Sequence, residues 1–475
     1  MPGLCSGPAT AGLPTGCRWN AAPVLDWAML QEPPNTHTRT YTADLHLHSR
    51  YAYATSKRLS LENLAAWAKI KGIDLLSCAD FTHPTWMEEL RRCLVEDGTG
   101  LFGFDGVKFV LGTEVSCVYR QGGRSRRVHL LVFAPDLATV EALNKKLAAH
   151  GNLKSDGRPV LGLSARDLVE LVLGSNPDCI VIPAHIWTPW YGILGSKSGF
   201  DSLEECFLDM APHIRAVETG LSSDPAMNWM IPQLAMRTIV SFSDAHSLPK
   251  LGREVTVFHG EMSYQGLARA LASQGVAYTV EFYPEEGKYH HSGHRKCGVR
   301  LAAGETLGSN GRCPVCGRPM TLGVLHRVAT LSNEVTSDQG ISTESISKDG
   351  TPSPGVANKI ESNGGLVSSP LGRPPFMRLV PLVEIISQTL KVGTASKRVQ
   401  NEYRRVVGEI GSEFKALIQA SYGALTRVGG ESLAQAVIRA RAGEVYLEPG
   451  YDGVFGSVRV VPADQAMACD DGRGC

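Results

Sequence analysis

Nine side chains of the kinds that bind metals recur between His46 and His246 of this 475-residue chain. His46-Leu47-His48 comes directly after Ala43-Asp44. Asp80 and His83, then Glu114, His129, His185 and the pair Asp244 and His246 complete the series. Almost every member ends, or directly follows, a short apolar run. Side chains alternate across a strand, so His-x-His sets both imidazoles on one face, within reach of one cation. Asp244-Ala245-His246 repeats that spacing with mixed ligands, and a carboxylate such as Glu114 can bridge two cations. Nine donors exceed what one tetrahedral ion takes, so two or three ions are implied; imidazole with carboxylate suits zinc, manganese or iron. Clustered ions neutralise a phosphodiester, lower the pKa of a bound water and stabilise the leaving oxygen. A lone histidine of this kind is more often a core or surface residue; the ordered set is what points to phosphoester hydrolysis.

A second constellation is His294-Arg295-Lys296-Cys297 followed by Cys313-Pro314-Val315-Cys316. Each pair is a tight-turn ligand pair, and the spacing between them is that of zinc ribbons and knuckles. Four soft ligands predict a closed, structural zinc. Arg295, Lys296, Arg300, Arg312, Arg318 and Arg327 crowd it, and His290, His291 or His326 could substitute as ligands. A third feature is the loop from His185 through Trp187, Trp190 and Tyr191 to Gly195-Ser196-Lys197-Ser198-Gly199. Its aromatics are candidates to stack on a nucleobase and Lys197 to meet a phosphate; the plainer reading is an aromatic cluster packing a lid. Lys397, Arg398, Arg404 and Arg405 make a basic helical face, which is more often merely solvated.

Something must bring the nine donors together. Apolar runs at 41–47, 73–79, 108–115, 128–133, 179–184, 215–218 and 238–242 read as seven strands. Between several of them lie amphipathic helical patterns, one opening at Ser60 and ending near Gly72, another opening at Ser164 with Asp167 three residues on and closing at Gly174. Alternating strand and helix predicts a mainly parallel sheet. Seven strands, each delivering a ligand at its C-terminal end, favour a closed α/β barrel, whose chemistry sits at that mouth. This block spans 41–285. A small His- and Cys-rich block follows at 286–330, then a Ser-, Thr- and Gly-rich disordered insertion or linker at 331–370. Residues 371–475 read as a helical and hairpin domain, with helices over 383–390, 398–418 (capped by Ser396) and 433–440. A hairpin is expected over 443–461, around Pro449-Gly450-Tyr451-Asp452-Gly453.

Lys and Arg number 47, as do Asp and Glu, so overall charge does not by itself call for nucleic acid, and a local basic patch would be enough. Of twelve cysteines only Cys313 and Cys316 are a close pair, which suits a metal and a reducing cytoplasm better than a disulfide framework. No stretch reads as a membrane span. Residues 1–40, rich in Pro, Gly and Ala, read as a flexible extension rather than a signal peptide.

The strings Ala43-Asp44-Leu45-His46-Leu47-His48-Ser49, Asp80-Phe81-Thr82-His83, Gly112-Thr113-Glu114 and Ser243-Asp244-Ala245-His246 resemble the polymerase and histidinol phosphatase (PHP) superfamily. That resemblance implies a distorted seven-stranded (β/α) barrel with a multinuclear metal centre. Many members carry another metal histidine a few residues past the first pair; Ser49 to Leu59 has none, and Asp80 is the candidate replacement. With Glu285-Glu286-Gly287-Lys288-Tyr289-His290, the His/Cys block, Arg373-Pro374-Pro375-Phe376 and Pro449-Gly450-Tyr451-Asp452-Gly453-Val454-Phe455-Gly456, the arrangement is similar to the endonuclease Q family. This similarity implies a DNA repair endonuclease that cuts the phosphodiester 5′ to uracil, hypoxanthine, xanthine or an abasic site. Expected cofactors are two or three divalent metals in the barrel (zinc, manganese or magnesium) and one structural zinc. Asp244, His246, His185 and Glu114 are the expected catalytic residues, and Glu218 is an extra ligand or a second-layer partner. Damaged DNA is the expected partner, with a replication sliding clamp as a further candidate. Two rival readings are a PHP phosphatase for a small phosphomonoester and a non-catalytic zinc-finger DNA-binding protein.

Overall fold

In the computed structural model, residues 39–339, 362–363, 365–369 and 372–460 are described, without the side chains of 333–339 and 362–363. All of the expected extension at 1–40 except residues 39 and 40, and most of the expected insertion at 331–370, fall outside them. The helix Val324–Gln339 runs into the start of that insertion.

The seven expected strands form a ring: β1 (Thr40–Asp44), β2 (Leu75–Ser77), β3 (Val107–Gln121), β4 (Arg124–Ala134), β5 (Ile180–Pro183), β6 (Ala216–Glu218) and β7 (Thr238–Val240). β1, β2 and β3 pair in parallel, as do β6 and β7. Between β5 and β6 the ring continues through Ile186 N–H donating to Glu218 O. It closes on β1 through the parallel bridge Leu47–Ala245 and His48 N–H to Ala245 O. Every strand contributes to one buried cluster: Ala43, Leu75, Val110, Leu131, Ile182, Ala216 and Val240.

The sheet is mixed, not mainly parallel as expected. β4 runs antiparallel to both β3 and β5. No helix separates β3 from β4; they are one long hairpin turned at Gly122 (φ 60°) and Gly123 (φ 73°), a two-residue turn that needs left-handed backbone at both positions. β8 (Val255–His259) lies antiparallel beside β1, β9 (Val276–Glu281) beside β8, and Phe376–Arg378 adds in parallel to β9. The C-terminal segment therefore begins as part of the barrel sheet.

Caps fix the helices. Ser60 accepts from Asn63 N–H, and Gly72 ends Leu61–Lys71 at φ 88°. Ser164 accepts from Asp167 N–H at the start of Ala165–Leu173. Ser396 caps Lys397–Ile410, but Gly411 (φ 111°) stops it, so the single helix expected over 398–418 is two pieces. Tyr422–Gly429 and Glu431–Ala442 follow, and the expected hairpin pairs Val445–Glu448 with Ser457–Val460. No helix among the described residues is long and apolar enough to cross a membrane.

Candidate metal centre

At the barrel mouth the donors form two groups that share one carboxylate. His46, His48, Glu114 and Asp244 offer ligand atoms all within 4.8 Å of one another, and Glu114, His129 and His185 do the same. Glu114 Oε2 lies 3.5 Å from His46 Nε2 and 3.2 Å from His48 Nε2, while its Oε1 lies 2.6 Å from His129 Nδ1 and 3.2 Å from His185 Nε2. Asp244 Oδ1 stands 3.4 Å and 3.2 Å from the same two Nε2 atoms. Both imidazoles of His46 and His48 are fully buried.

The far sides of those rings are held. Glu218 takes His46 Nδ1 at 2.9 Å and also accepts His185 N–H at 2.6 Å. Asp80 takes His48 Nδ1 at 3.1 Å and accepts Ser49 N–H at 2.6 Å. His46 Nε2, His48 Nε2 and Asp244 Oδ1 are buried with no hydrogen-bond partner. Three orphaned polar atoms converging on one point beside a shared carboxylate fit a divalent cation, because burial of such groups otherwise costs free energy. A carboxylate behind each ligating histidine is the usual second layer of a metal site.

Electrostatics agree. Burial disfavours charge on His46, yet Glu218, Asp244 and Glu114 outweigh it and hold the imidazolium well above its ordinary pKa. Burial likewise works against the Glu114 carboxylate, but His129, Arg158 and His46 pull it well below the usual range.

Backbone strain marks the same place. Asp80 (φ 43°), His185 (φ 31°) and Asp244 (φ 44°) all lie in the left-handed region just past strand ends, a kind of strain that clusters at functional sites. Gly220 is required beneath His185: a Cβ there would lie 2.1 Å from the His185 Cβ.

Three expected ligands do not join either donor group. Asp80 is spent on His48 and Ser49, as above. His83 instead caps Pro84–Cys93, its ring accepting from Trp86 N–H and stacking on Tyr51 at 4.5 Å. His246 stands at the rim, its ring 4.6 Å from His48 and its side chain a third exposed. Trp187 is buried, with its indole N–H bonded to Asn228, so it packs the loop rather than facing a ligand. Tyr191 covers His129 at 4.2 Å between ring centroids. Trp190 and Lys197 are exposed.

Sequence reasoning missed Arg158. Its guanidinium donates to Glu114 Oε2 at 3.1 Å inside the mouth. It follows Gly157, where a Cβ would meet Asp80 Oδ2 at 2.4 Å. The neighbouring string Asp156-Gly157-Arg158-Pro159 could have signalled a tight loop carrying a cation, but nothing in it names a metal centre.

A cavity of about 720 Å³ lies beside this centre, and two of its lining residues touch donor residues. Thr188, hydrogen-bonded to His185 Nδ1 at 2.9 Å, lines it, as does Arg253, which donates to Ser243 O and Asp244 O. Its other walls are Trp190, Tyr289, His290 and Phe455.

The second constellation also assembles. His294, Cys297, Cys313 and Cys316 bring four ligand atoms within 4.8 Å, with His294 Nδ1 3.3 Å from Cys316 Sγ. Arg295, Lys296, Arg300, Arg312 and Arg318 are exposed around it. Arg327 instead ties Val324–Gln339 to the barrel through Asp201, Leu194 O and Phe200 O. His290 is buried away from the four.

The lesion-specific endonuclease of Pyrococcus furiosus superposes with a TM-score of 0.73 at 28% identity, over 91% of this chain and 100% of that one. Endonuclease Q in complex with a 27-mer duplex substrate, an abasic lesion at its active site, gives 0.74 at 29% identity, over 92% and 100%. Over nearly its whole length the chain is similar to endonuclease Q. Residues 381–444 match the family model of the MJ0043 C-terminal domain. Protein MJ0043 of Methanocaldococcus jannaschii is 30% identical over 58% of this chain, which spans only 31% of that relative's length. Protein YqxK of Bacillus subtilis is 28% identical over 88% of this chain and 98% of its own.

Proposed function

We propose that this protein is a metal-dependent DNA repair endonuclease that hydrolyses the phosphodiester on the 5′ side of a deaminated base or abasic site. The observation that carries the reading is the convergence of the orphaned His46, His48 and Asp244 atoms with Glu114, beside a cavity large enough for a nucleoside. Similarity over nearly the whole chain to a lesion-specific endonuclease supports the substrate class.

In this reading His46, His48, Glu114 and Asp244 hold one divalent metal, and Glu114, His129 and His185 hold a second. Two donor groups account for two of the two or three ions expected. When bound, such metals supply Lewis acidity for water activation and charge neutralisation at the phosphate. Glu218 and Asp80 orient the His46 and His48 rings. Arg158, whose guanidinium stands at Glu114 inside the mouth, would hold a non-bridging phosphate oxygen. His246 stands beside the reacting phosphate at the rim. The cavity takes the nucleotide out of the stack, which costs least for a mispaired or missing base.

His294, Cys297, Cys313 and Cys316 are proposed to hold a structural zinc. The exposed basic residues around it, with the C-terminal helices, grip DNA phosphates and read little sequence. A replication sliding clamp is kept as a candidate second partner. A small-phosphomonoester phosphatase would need neither finger nor basic surround.

The test is end-labelled duplex DNA with one deoxyuridine or deoxyinosine, incubated with protein and Mg²⁺ or Mn²⁺, beside an undamaged duplex. One cut directly 5′ of the lesion, leaving a 3′-hydroxyl, is expected. Equal cutting of undamaged DNA, or none with a phosphomonoester hydrolysed instead, moves the assignment to another hydrolase.

A further inference from the structure

Phe455 is 73% exposed, an unusual position for a large aromatic side chain. Its surroundings are not those of a loose loop. Gly450 N–H donates to Glu285 O, Gly453 N–H to Lys288 O and Gly456 N–H to Glu286 O, at 2.8–3.0 Å. Tyr451 and Val454 exchange backbone hydrogen bonds across the tight turn, and Asp452 accepts from Arg295 N–H and the Thr321 hydroxyl. The ring thus stands on a pedestal tied to both the 285–291 segment and the finger. It lines, with Trp190 and Tyr289, the cavity whose Thr188 and Arg253 reach His185 and Asp244. Lys288 Nζ sits 5.7 Å from its centroid, a cation beside an exposed ring. Tyr53 is as exposed, at 77%, but does not line this cavity.

Extruding a nucleotide opens a gap of one base step in the duplex. Proteins that unstack DNA fill such gaps with apolar wedges, and a ring stacks on any base. We propose that Phe455 is that wedge: it enters the stack as the target nucleotide leaves and holds the duplex open while the nucleotide occupies the cavity. Lys288 beside it meets the flanking phosphate. The inference rests on the endonuclease reading above and adds which residue drives extrusion. Phe455 is a positioning residue, since it touches the flanking bases and not the reacting phosphate.

Two DNAs separate this role from a general one. One carries deoxyuridine in a fully paired duplex. The other carries it in a short unpaired bubble with the same paired flanks, where no stack needs opening. Phe455→Ala is expected to slow cleavage of the paired DNA roughly 5- to 150-fold, the rate equivalent of about 1–3 kcal/mol of lost stacking. The loss on the bubble is expected to be several times smaller, and Phe455→Trp to restore most of the paired rate. Equal losses on both DNAs, or no loss on the paired one, overturn the proposal. Wild-type protein that cuts neither DNA removes the endonuclease reading itself, and this inference with it.

Discussion

The barrel mouth and the finger each gather metal donors within 4.8 Å, yet they do so in opposite surroundings. Around the mouth, His46 and His48 are fully buried, each braced by a carboxylate, inside a sheet with an extensive apolar core. The finger's own buried cluster is Val299, Cys313 and Met320, and Cys316 is exposed. A core that small cannot hold a fold against chain entropy, so on the proposed reading a metal supplies the folding free energy there. At the mouth the scaffold holds the donors in place beforehand, and the metal is left for chemistry. The same residue types therefore do two jobs, decided by what surrounds them.

The largest expected effect strikes the shared ligand. Glu114→Gln disturbs both barrel donor groups at once, so cleavage should fall below detection while the melting temperature stays near wild type, read by gel assay and calorimetry. A large drop in melting temperature would make Glu114 structural and erase the contrast. Next, Cys316→Ser should unfold the finger alone. Hydrogen exchange should speed up across 292–321 and stay unchanged across 107–134, with weakened DNA binding; protection retained at 292–321 would show that the finger folds without its metal.

Smaller still, Glu218→Gln keeps shape but loses the charge behind His46. Second-layer changes of this kind cost about 10- to 100-fold in metal affinity or activity. Metal titration of the variant checks it, and wild-type affinity would mean the brace is idle.

The smallest effect is on pH. Burial pushes the Glu281 carboxyl from its ordinary 4.5 up to about 8, while Ser241 and Thr279 donate to it. A raised pKa means the folded state holds the proton more tightly. That stabilisation is complete below about 4.5 and is lost as pH rises through about 8. Melting temperature should therefore fall between pH 5.5 and 8.5, less steeply in Glu281→Gln, whereas the finger, which lacks this group, should not contribute. An unchanged slope in the variant would place the pH response elsewhere.

How far the sequence carried the reading follows from range. The seven strands were legible because each is an apolar run ending in a polar ligand, and caps at Ser60, Ser164 and Ser396 are local signals. The direction of β4 was not read, although Gly122-Gly123 is a hairpin turn, because strand–helix alternation elsewhere outweighed it. Asp80 and His83 have ligand chemistry, but whether a carboxylate meets a metal or a histidine behind it is set by contacts across 32 residues, as with His48 and Asp80. Trp187 looked like a loop aromatic; its burial against Asn228 is a tertiary fact. Arg158 reaches Glu114 over 44 residues, and no local pattern encodes that contact.

The central claim is that the mouth does chemistry and the finger grips. One experiment measures cleavage and DNA affinity together, on deoxyuridine duplex, for wild type, Asp244→Ala and Cys313→Ser. The account predicts that Asp244→Ala binds as wild type and does not cut, whereas Cys313→Ser loses affinity and still cuts at saturating protein. Equal loss of binding and cleavage in both variants would contradict it.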